Sequence, residues 1–269
     1  MSTAVTIGKG GTTGVFLRKA TGLVREVSLI DALIMNTLGM NVAVGAVFLF
    51  LQLPESGQEH QPFTYGYSTI PYEITHNVDI VKPEVITIGD EKVEIDEAPG
   101  PSPIWLTIFT SMFMHGGWLH ILGNMWFLWI FGDNVERRLG SPMYVVLYLG
   151  AGVVAGIAQI LPNPDSFIPS LGASGAIAGV LGAYLALFPT NRVSILVFRF
   201  IPFAVPALVA IGLWFLLNLV NGVGQIALTE QTGGVAYLAH VGGFIAGLVV
   251  GLIFRSQPPA RTQRFGYGR

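Results

Sequence analysis

This 269-residue chain contains no cysteine. Disulfides, thiolate catalysis and cysteine-ligated zinc are therefore excluded. Charge is scarce as well. Only 11% of the residues are Asp, Glu, Lys or Arg, where an ordinary soluble domain has about a quarter. The net charge of −2 leaves no basic footprint for nucleic acid. No cleavable signal peptide is evident, because the first long apolar run starts near Ser28 and lacks a small-residue cleavage site. No internal repeat is visible. What abounds is apolar surface, at 52% of residues, together with 34 glycines. Glycine is more frequent in membrane helices than in soluble ones. The composition predicts an all-α polytopic membrane protein.

Taken in order, residues 1–27 read as a flexible, basic cytoplasmic lead, and residues 28–254 as a six-helix membrane domain. Spans are expected at about 28–53, 119–134, 142–161, 172–188, 201–221 and 235–254, each near the ~20 residues that a bilayer core requires. Residues 255–269 form a basic tail. The segment 54–104 differs in kind, holding ten of the sixteen acidic residues. Within it, Val85–Ile88 and Glu91–Ile95 alternate around Gly89-Asp90, which predicts a β-hairpin in a large external loop. Trp105 to Trp118 is aromatic and Met-rich, as expected of a stretch at the headgroup level. With both termini inside, the inner segments hold 12 of the 14 Lys and Arg residues and the outer ones only Lys82 and Lys92. That asymmetry favours cytoplasmic termini and an external acidic loop.

Ionisable and polar groups inside spans are costly and are functional candidates by default. His120 and Asn124 are four apart and share one helix face. Ser174 opens the fourth expected span in a Gly-x-Ser-Gly turn, and His240 lies near the start of the sixth. Spans two, four and six run from outside to inside, so all four residues fall at one depth in the outer half of the membrane. A serine hydroxyl becomes a nucleophile when a neighbouring base takes its proton. No Asp or Glu shares that depth, so a Ser174–His240 dyad is expected. Asn124, His120 and the Ser174 amide at the helix mouth are the candidate oxyanion donors. Gly175 and Gly179 on one span and Gly243, Gly247 and Gly251 on the other form small-residue stripes. Their docking would bring imidazole and hydroxyl together. His115, His120 and His240 could instead ligate a metal, although no carboxylate lies at their depth. His60 and His76 read as solvated loop residues. Asp133, Glu136, Arg137 and Arg138 read as a cytoplasmic charge cluster. Ala176 stands where the Gly-x-Ser-x-Gly elbow of soluble hydrolases has its last glycine, so that motif is absent.

From about Trp105 to Phe254 the sequence resembles the rhomboid family of intramembrane serine proteases. His120-Ile-Leu-Gly-Asn124 is similar to the family's His-x-x-x-Asn motif, and Gly172-Ala-Ser174-Gly175 to its Gly-x-Ser-Gly. Ala239-His240-Val-Gly-Gly243, with Gly247 completing Gly-x-x-x-Gly, resembles its last catalytic helix, and Gly132 to Gly140 is also similar. The resemblance implies a six-helix rhomboid-like bundle, the Ser174–His240 dyad, an oxyanion site of Asn124 and His120, and no cofactor. It implies membrane-protein substrates, single-span or polytopic, bent and cut near the outer face of the bilayer. It fits a prokaryotic plasma membrane. Two positions depart from the family pattern. Trp105 is followed by Leu106, where the family often has Trp-Arg. Ala178 stands where an aromatic side chain often packs on the catalytic histidine, so close helix packing or another residue must orient His240.

Two other functions compete. One is a catalytically inactive relative that binds membrane clients. The other is a small transporter, prompted by a similarity between the start of the first span and amino-acid permeases. A transporter usually carries paired broken helices or a repeat, and neither is visible here.

Overall fold

A computed structural model describes residues 61–81, 84–88, 91–95, 99–197, 201–228 and 235–258. The expected lead, the first span at 28–53, His60 and the tail beyond residue 258 lie outside the described residues.

The first described segment carries two short helices, α1 (Gln61–Gly66) and α2 (Pro71–His76). Pro71 starts α2 where its missing N–H costs nothing, and Asn77 ends it in the left-handed conformation at φ 52°. Between the helices, Thr69 and Ser170 form an antiparallel bridge with N–H···O distances of 3.0 and 2.9 Å. The Tyr72 N–H donates to Ser166 O at 3.0 Å, and the Tyr72 ring stacks on Phe167. Thr69 Oγ1 lies 2.9 Å from Ser111 Oγ. Residues 69–72 thus strap the loop 161–172 to the segment around Ser111. His76 is exposed, with Nε2 3.7 Å from the Asp165 carboxylate.

Glu73 is fully buried in this strap. Its Oε1 accepts the Ile80 N–H at 2.8 Å, while Oε2 has no partner among the described residues. Strands β1 (Glu84–Ile88) and β2 (Glu91–Ile95) pair antiparallel, with Ile88 opposite Glu91, as the alternation around Gly89-Asp90 predicts. The Gly100 N–H donates to the Asp79 carboxylate. Helix α3 (Thr107–Thr110) sits between two 3₁₀ turns, Ile104–Leu106 and Ser111–Phe113. Trp105 is half exposed beside it.

Five longer helices follow: α4 (Trp118–Leu139), α5 (Ser141–Ile160), α6 (Ser174–Leu187), α7 (Ala207–Leu228) and α8 (Tyr237–Arg255). Within them Ser141–Ile160, Ala207–Gly224 and Tyr237–Arg255 are long and apolar enough to cross a membrane. The chain is a mostly helical, multi-pass membrane protein. Helix α4 continues past the expected end at residue 134, because Asp133 and Arg137 pair one turn apart and no breaker intervenes before Gly140 at φ 83°. The expected span at 201–221 opens differently. Residues Ile201–Pro206 are strand β4, paired antiparallel with β3 (Arg192–Val197), and helix begins only at Ala207.

Helix α6 is the centre of the bundle. Eleven of its 14 residues are buried, as expected of a helix that is apolar all round. It packs among Leu128 and Phe131 of α4, Tyr148 of α5, Ile211 of α7 and Phe244 of α8. Against α8 the contact is backbone on backbone. A Cβ at Gly243 would overlap Gly175 O, one at Gly247 would overlap Gly179 O, and one at Gly182 would overlap Phe244 O. At the other end of the bundle, Arg138 Nη2 donates to Phe254 O and Arg255 O at 3.0 Å and also to Gln257 O. These bonds occupy carbonyls that end α8.

Two measurements follow from this packing. Gly247→Ala should destabilise the bundle by at least about 1–3 kcal/mol, the usual cost of overpacking. Gly150→Ala should be neutral, because a Cβ there meets nothing within 4 Å. Thermal melting in detergent distinguishes the pair, and equal melting temperatures would refute the backbone contact. The second measurement concerns Glu73. Desolvation raises its pKa from 4.5 to about 7, partly offset by the Ile80 N–H and reinforced by Asp79. The folded state then binds a proton that the unfolded state releases, so this stabilisation is complete below pH 4.5 and is lost as pH rises through 7. Glu73→Gln should flatten the decline in melting temperature between pH 5 and 8. An unchanged slope would show that the carboxyl titrates as if solvated.

Candidate active site

The nucleophile candidate stands at a turn that only glycine can make. Gly172 has φ +123°, and a Cβ there would sit 2.8 Å from both Cε1 and Nε2 of His120. Its N–H donates to Ser111 O at 2.8 Å. The turn delivers Ser174 to the first position of α6, where the early backbone N–H groups have no intrahelical partners.

Ser174 Oγ lies 2.8 Å from His240 Nε2, across the glycine-lined contact between α6 and α8. His240 is buried, and its Nδ1 is 2.7 Å from Oδ1 of Asn218 on α7. The Trp214 ring packs beside the imidazole at 5.7 Å, tilted by 34°. The orientation that an aromatic at position 178 would supply from α6 is supplied here from α7. Ala178 is itself fully buried in the core.

His120 and Asn124 project from the first turns of α4 towards the same turn. The Gly116 N–H donates to His120 Nδ1 at 3.3 Å, which in a neutral ring leaves the proton on Nε2, the nitrogen beside Gly172. Asn124 is buried, and its Nδ2 has no partner among the described residues. A buried amide donor without a partner is uncommon, and this one lines the cavity that holds Ser174. His115 donates Nδ1–H to Phe113 O at 3.2 Å, with its ring edge-on to His120. Burial, with the neighbouring His120 second, pushes His115 down to about 4, so it is neutral at physiological pH.

The cavity measures about 710 Å³, and none of the described residues lining it carries a formal charge. Its walls include His120, Asn124, Phe127, Ser174, Trp214 and His240. Both nitrogens of His240 are engaged by Ser174 and Asn218. Among the described residues no three His, Asp or Glu side chains converge, so metal ligation by His115, His120 and His240 finds no geometric support. The helix-packing glycines Gly175, Gly179, Gly243 and Gly247 all lie in the α6–α8 contact.

Sequence reasoning overlooked three residues here. Asn218 and Trp214 are four apart on α7 and share a face. The available signal was three amides, Asn218, Asn221 and Gln225, in an otherwise apolar run. The third is Gln159 at the end of α5, whose Oε1 accepts the Ala239 N–H at 3.2 Å and so occupies one of the free donors that open α8.

The rhomboid domain family profile matches residues 103–257, more than half of the chain. The chain belongs to the rhomboid family. It is 34% identical over 148 residues to "Rhomboid protease GluP" of Bacillus subtilis (strain 168), covering 55% of this chain and 26% of that protein. It is 31% identical over 165 residues to "Rhomboid protein 1, mitochondrial" of Saccharomyces cerevisiae, covering 59% and 44% respectively. Against mouse "Presenilin-associated rhomboid-like protein, mitochondrial", identity is 28% over 158 residues, covering 56% and 38%. The chain thus spans from about a quarter to less than half of the length of these relatives.

Proposed function

We propose that this chain is an intramembrane serine endopeptidase that cleaves membrane-spanning helices near the outer face of the bilayer. The observation that carries the proposal is the 2.8 Å approach of Ser174 Oγ to His240 Nε2. In this reading Ser174 Oγ attacks the scissile carbonyl carbon while Nε2 takes its proton. The carbonyl oxygen becomes an oxyanion and accepts bonds from the Ser174 N–H, Asn124 Nδ2 and His120 Nε2. Collapse of the adduct breaks the C–N bond, and His240 returns the proton to the departing amine. A water molecule, deprotonated by the same nitrogen, then releases the acyl group from Ser174.

Topology supports the placement. In this reading six spans hold both termini in the cytoplasm, the orientation that the Lys and Arg distribution favours, with 12 of 14 on that side. Helix α6 has only 14 residues. At 1.5 Å per residue it covers about 21 Å of a hydrocarbon core of about 30 Å. In this reading Ser174 is recessed below the outer surface, and the cavity that it lines admits the water needed for hydrolysis. A client-binding relative without activity would not need the Ser174–His240 contact.

A fluorophosphonate reacts with a serine whose proton can be removed and whose oxyanion can be held. It is expected to label the detergent-solubilised protein at Ser174 alone. Labelling should vanish in Ser174→Ala and drop sharply in folded His240→Ala. An adduct on a different serine, read by mass spectrometry, would sink the dyad. A second expectation concerns the oxyanion. Asn124→Ala should lower turnover of a labelled single-span substrate by about 10²–10³, the usual cost of one such donor. Full turnover in the folded variant would remove Asn124 from the mechanism.

A further inference from the structure

Among the described residues of helix α7 one polar side chain is buried, and it touches His240. Asn218 is 7% exposed, while Asn221, three residues on, is exposed. The Asn218 Nδ2 donates to Trp214 O at 2.8 Å, and Oδ1 lies 2.7 Å from His240 Nδ1. We propose that Asn218 is the positioning residue for the His240 base, so that the unit at this site is a Ser174–His240–Asn218 relay rather than a dyad. The inference rests on the protease reading above and specifies how its base is prepared.

A backbone carbonyl can only accept, so the side-chain atom 2.8 Å from Trp214 O must be the amide nitrogen. The oxygen then faces His240, and that oxygen also can only accept. Nδ1 must therefore carry the imidazole proton. In a neutral ring this leaves the lone pair on Nε2, directed at the Ser174 hydroxyl 2.8 Å away. Turning the Asn218 amide over would set two oxygens against each other at Trp214 and an NH₂ group against Nδ1. One backbone carbonyl on α7 thus fixes the tautomer of a ring on α8. The Trp214 indole packs against that ring and holds its plane.

An amide suits this place better than a carboxylate would. The site is buried, and none of the described residues lining its cavity is charged. An ionised carboxyl there would bear a large desolvation cost. Asn218 supplies the acceptor without the charge, at the expense of the stabilisation that a carboxylate would give to the imidazolium formed during turnover.

The test has a structural arm and a kinetic arm. With ¹⁵N-histidine labelling, and the His240 signals identified by their loss in His240→Gln, wild-type protein at neutral pH should show a protonated Nδ1 and an unprotonated Nε2. In Asn218→Leu the ring should move towards the Nε2–H form. An Nε2–H ring in the wild type overturns the relay. This reading needs no turnover, so a Nδ1–H ring in a protein that cleaves nothing and takes no fluorophosphonate would support the relay geometry and sink the protease reading alone. In the kinetic arm, Asn218→Leu should lower kcat on the order of 10²-fold, the lower range for general-base catalysis, with KM little changed. Asn221→Leu should leave both intact. Asn218→Asp keeps the acceptor. It should run at least about tenfold faster than Asn218→Leu, with the acidic limb of kcat/KM moved to higher pH because its charge favours imidazolium. Wild-type kcat in folded Asn218→Leu, or identical rates and pH profiles in the Leu and Asp variants, overturns the proposal.

Discussion

The contact between the backbones of α6 and α8 is the constraint on which the site depends. In a bilayer no hydrophobic gain draws two apolar helices together, so association rests on close packing and hydrogen bonds. Here Gly243 and Gly247 of one helix meet the Gly175 and Gly179 carbonyls of the other, where any side chain would overlap them. Ser174 and His240 sit at matching ends of these two ridges. Their 2.8 Å separation is thus an outcome of helix registry, not of local side-chain flexibility. One added methyl in the seam would separate Ser174 Oγ from His240 Nε2, and in the proposed protease misplacement by about an ångström would cost on the order of 10²-fold in rate.

A second layer of order comes from polar groups that have few partners to choose among. In an apolar interior each donor must find its acceptor, so one bond dictates the next. The Trp214 carbonyl sets the Asn218 amide, which faces Nδ1 of His240, whose Nε2 faces Ser174. On the opposite wall, the Gly116 amide sets the His120 ring. Among the described residues five buried polar atoms have no partner, Asn124 Nδ2 and Glu73 Oε2 among them. Asn124 Nδ2 opens into the cavity, whereas Glu73 Oε2 sits in the strap outside the bundle. The first is a free donor on the cavity wall, and the second leaves a buried carboxyl in the strap half satisfied.

Much of this could be read from spacing. His120 and Asn124 are one turn apart, the glycine stripes repeat every four residues, and the hairpin of β1 and β2 alternates around a two-residue turn. Such features are local, and their period survives in the chain. The β3–β4 hairpin escaped notice because residues 192–206 are apolar almost throughout and carry no glycine or asparagine turn, so β4 merges into the helix that follows. The end of α4 was hidden by charges that pair along the helix instead of ending it. Asn218 could not be assigned because its partner is 22 residues away on another helix, and nothing in its neighbours marks the face it occupies. The same holds for Glu73, whose burial depends wholly on how a loop folds back.

The strap bears on what counts as one domain. The family-matched stretch begins at residue 103, yet the loop that leads into Ser174 is bridged at Ser170 to Thr69 and bonded at Ser166 to Tyr72. The loop that leads into Ser174 is therefore held by residues upstream of the family-matched stretch. Of residues 69–72 only Pro71 lines the cavity that holds Ser174 and His240, and the others bear on it through the loop they hold. In the proposed protease, a tighter or looser strap would change how far a substrate helix must unwind before it reaches Ser174. Two relatives with the same catalytic groups and different upstream segments would then discriminate among substrates by stiffness instead of by shape.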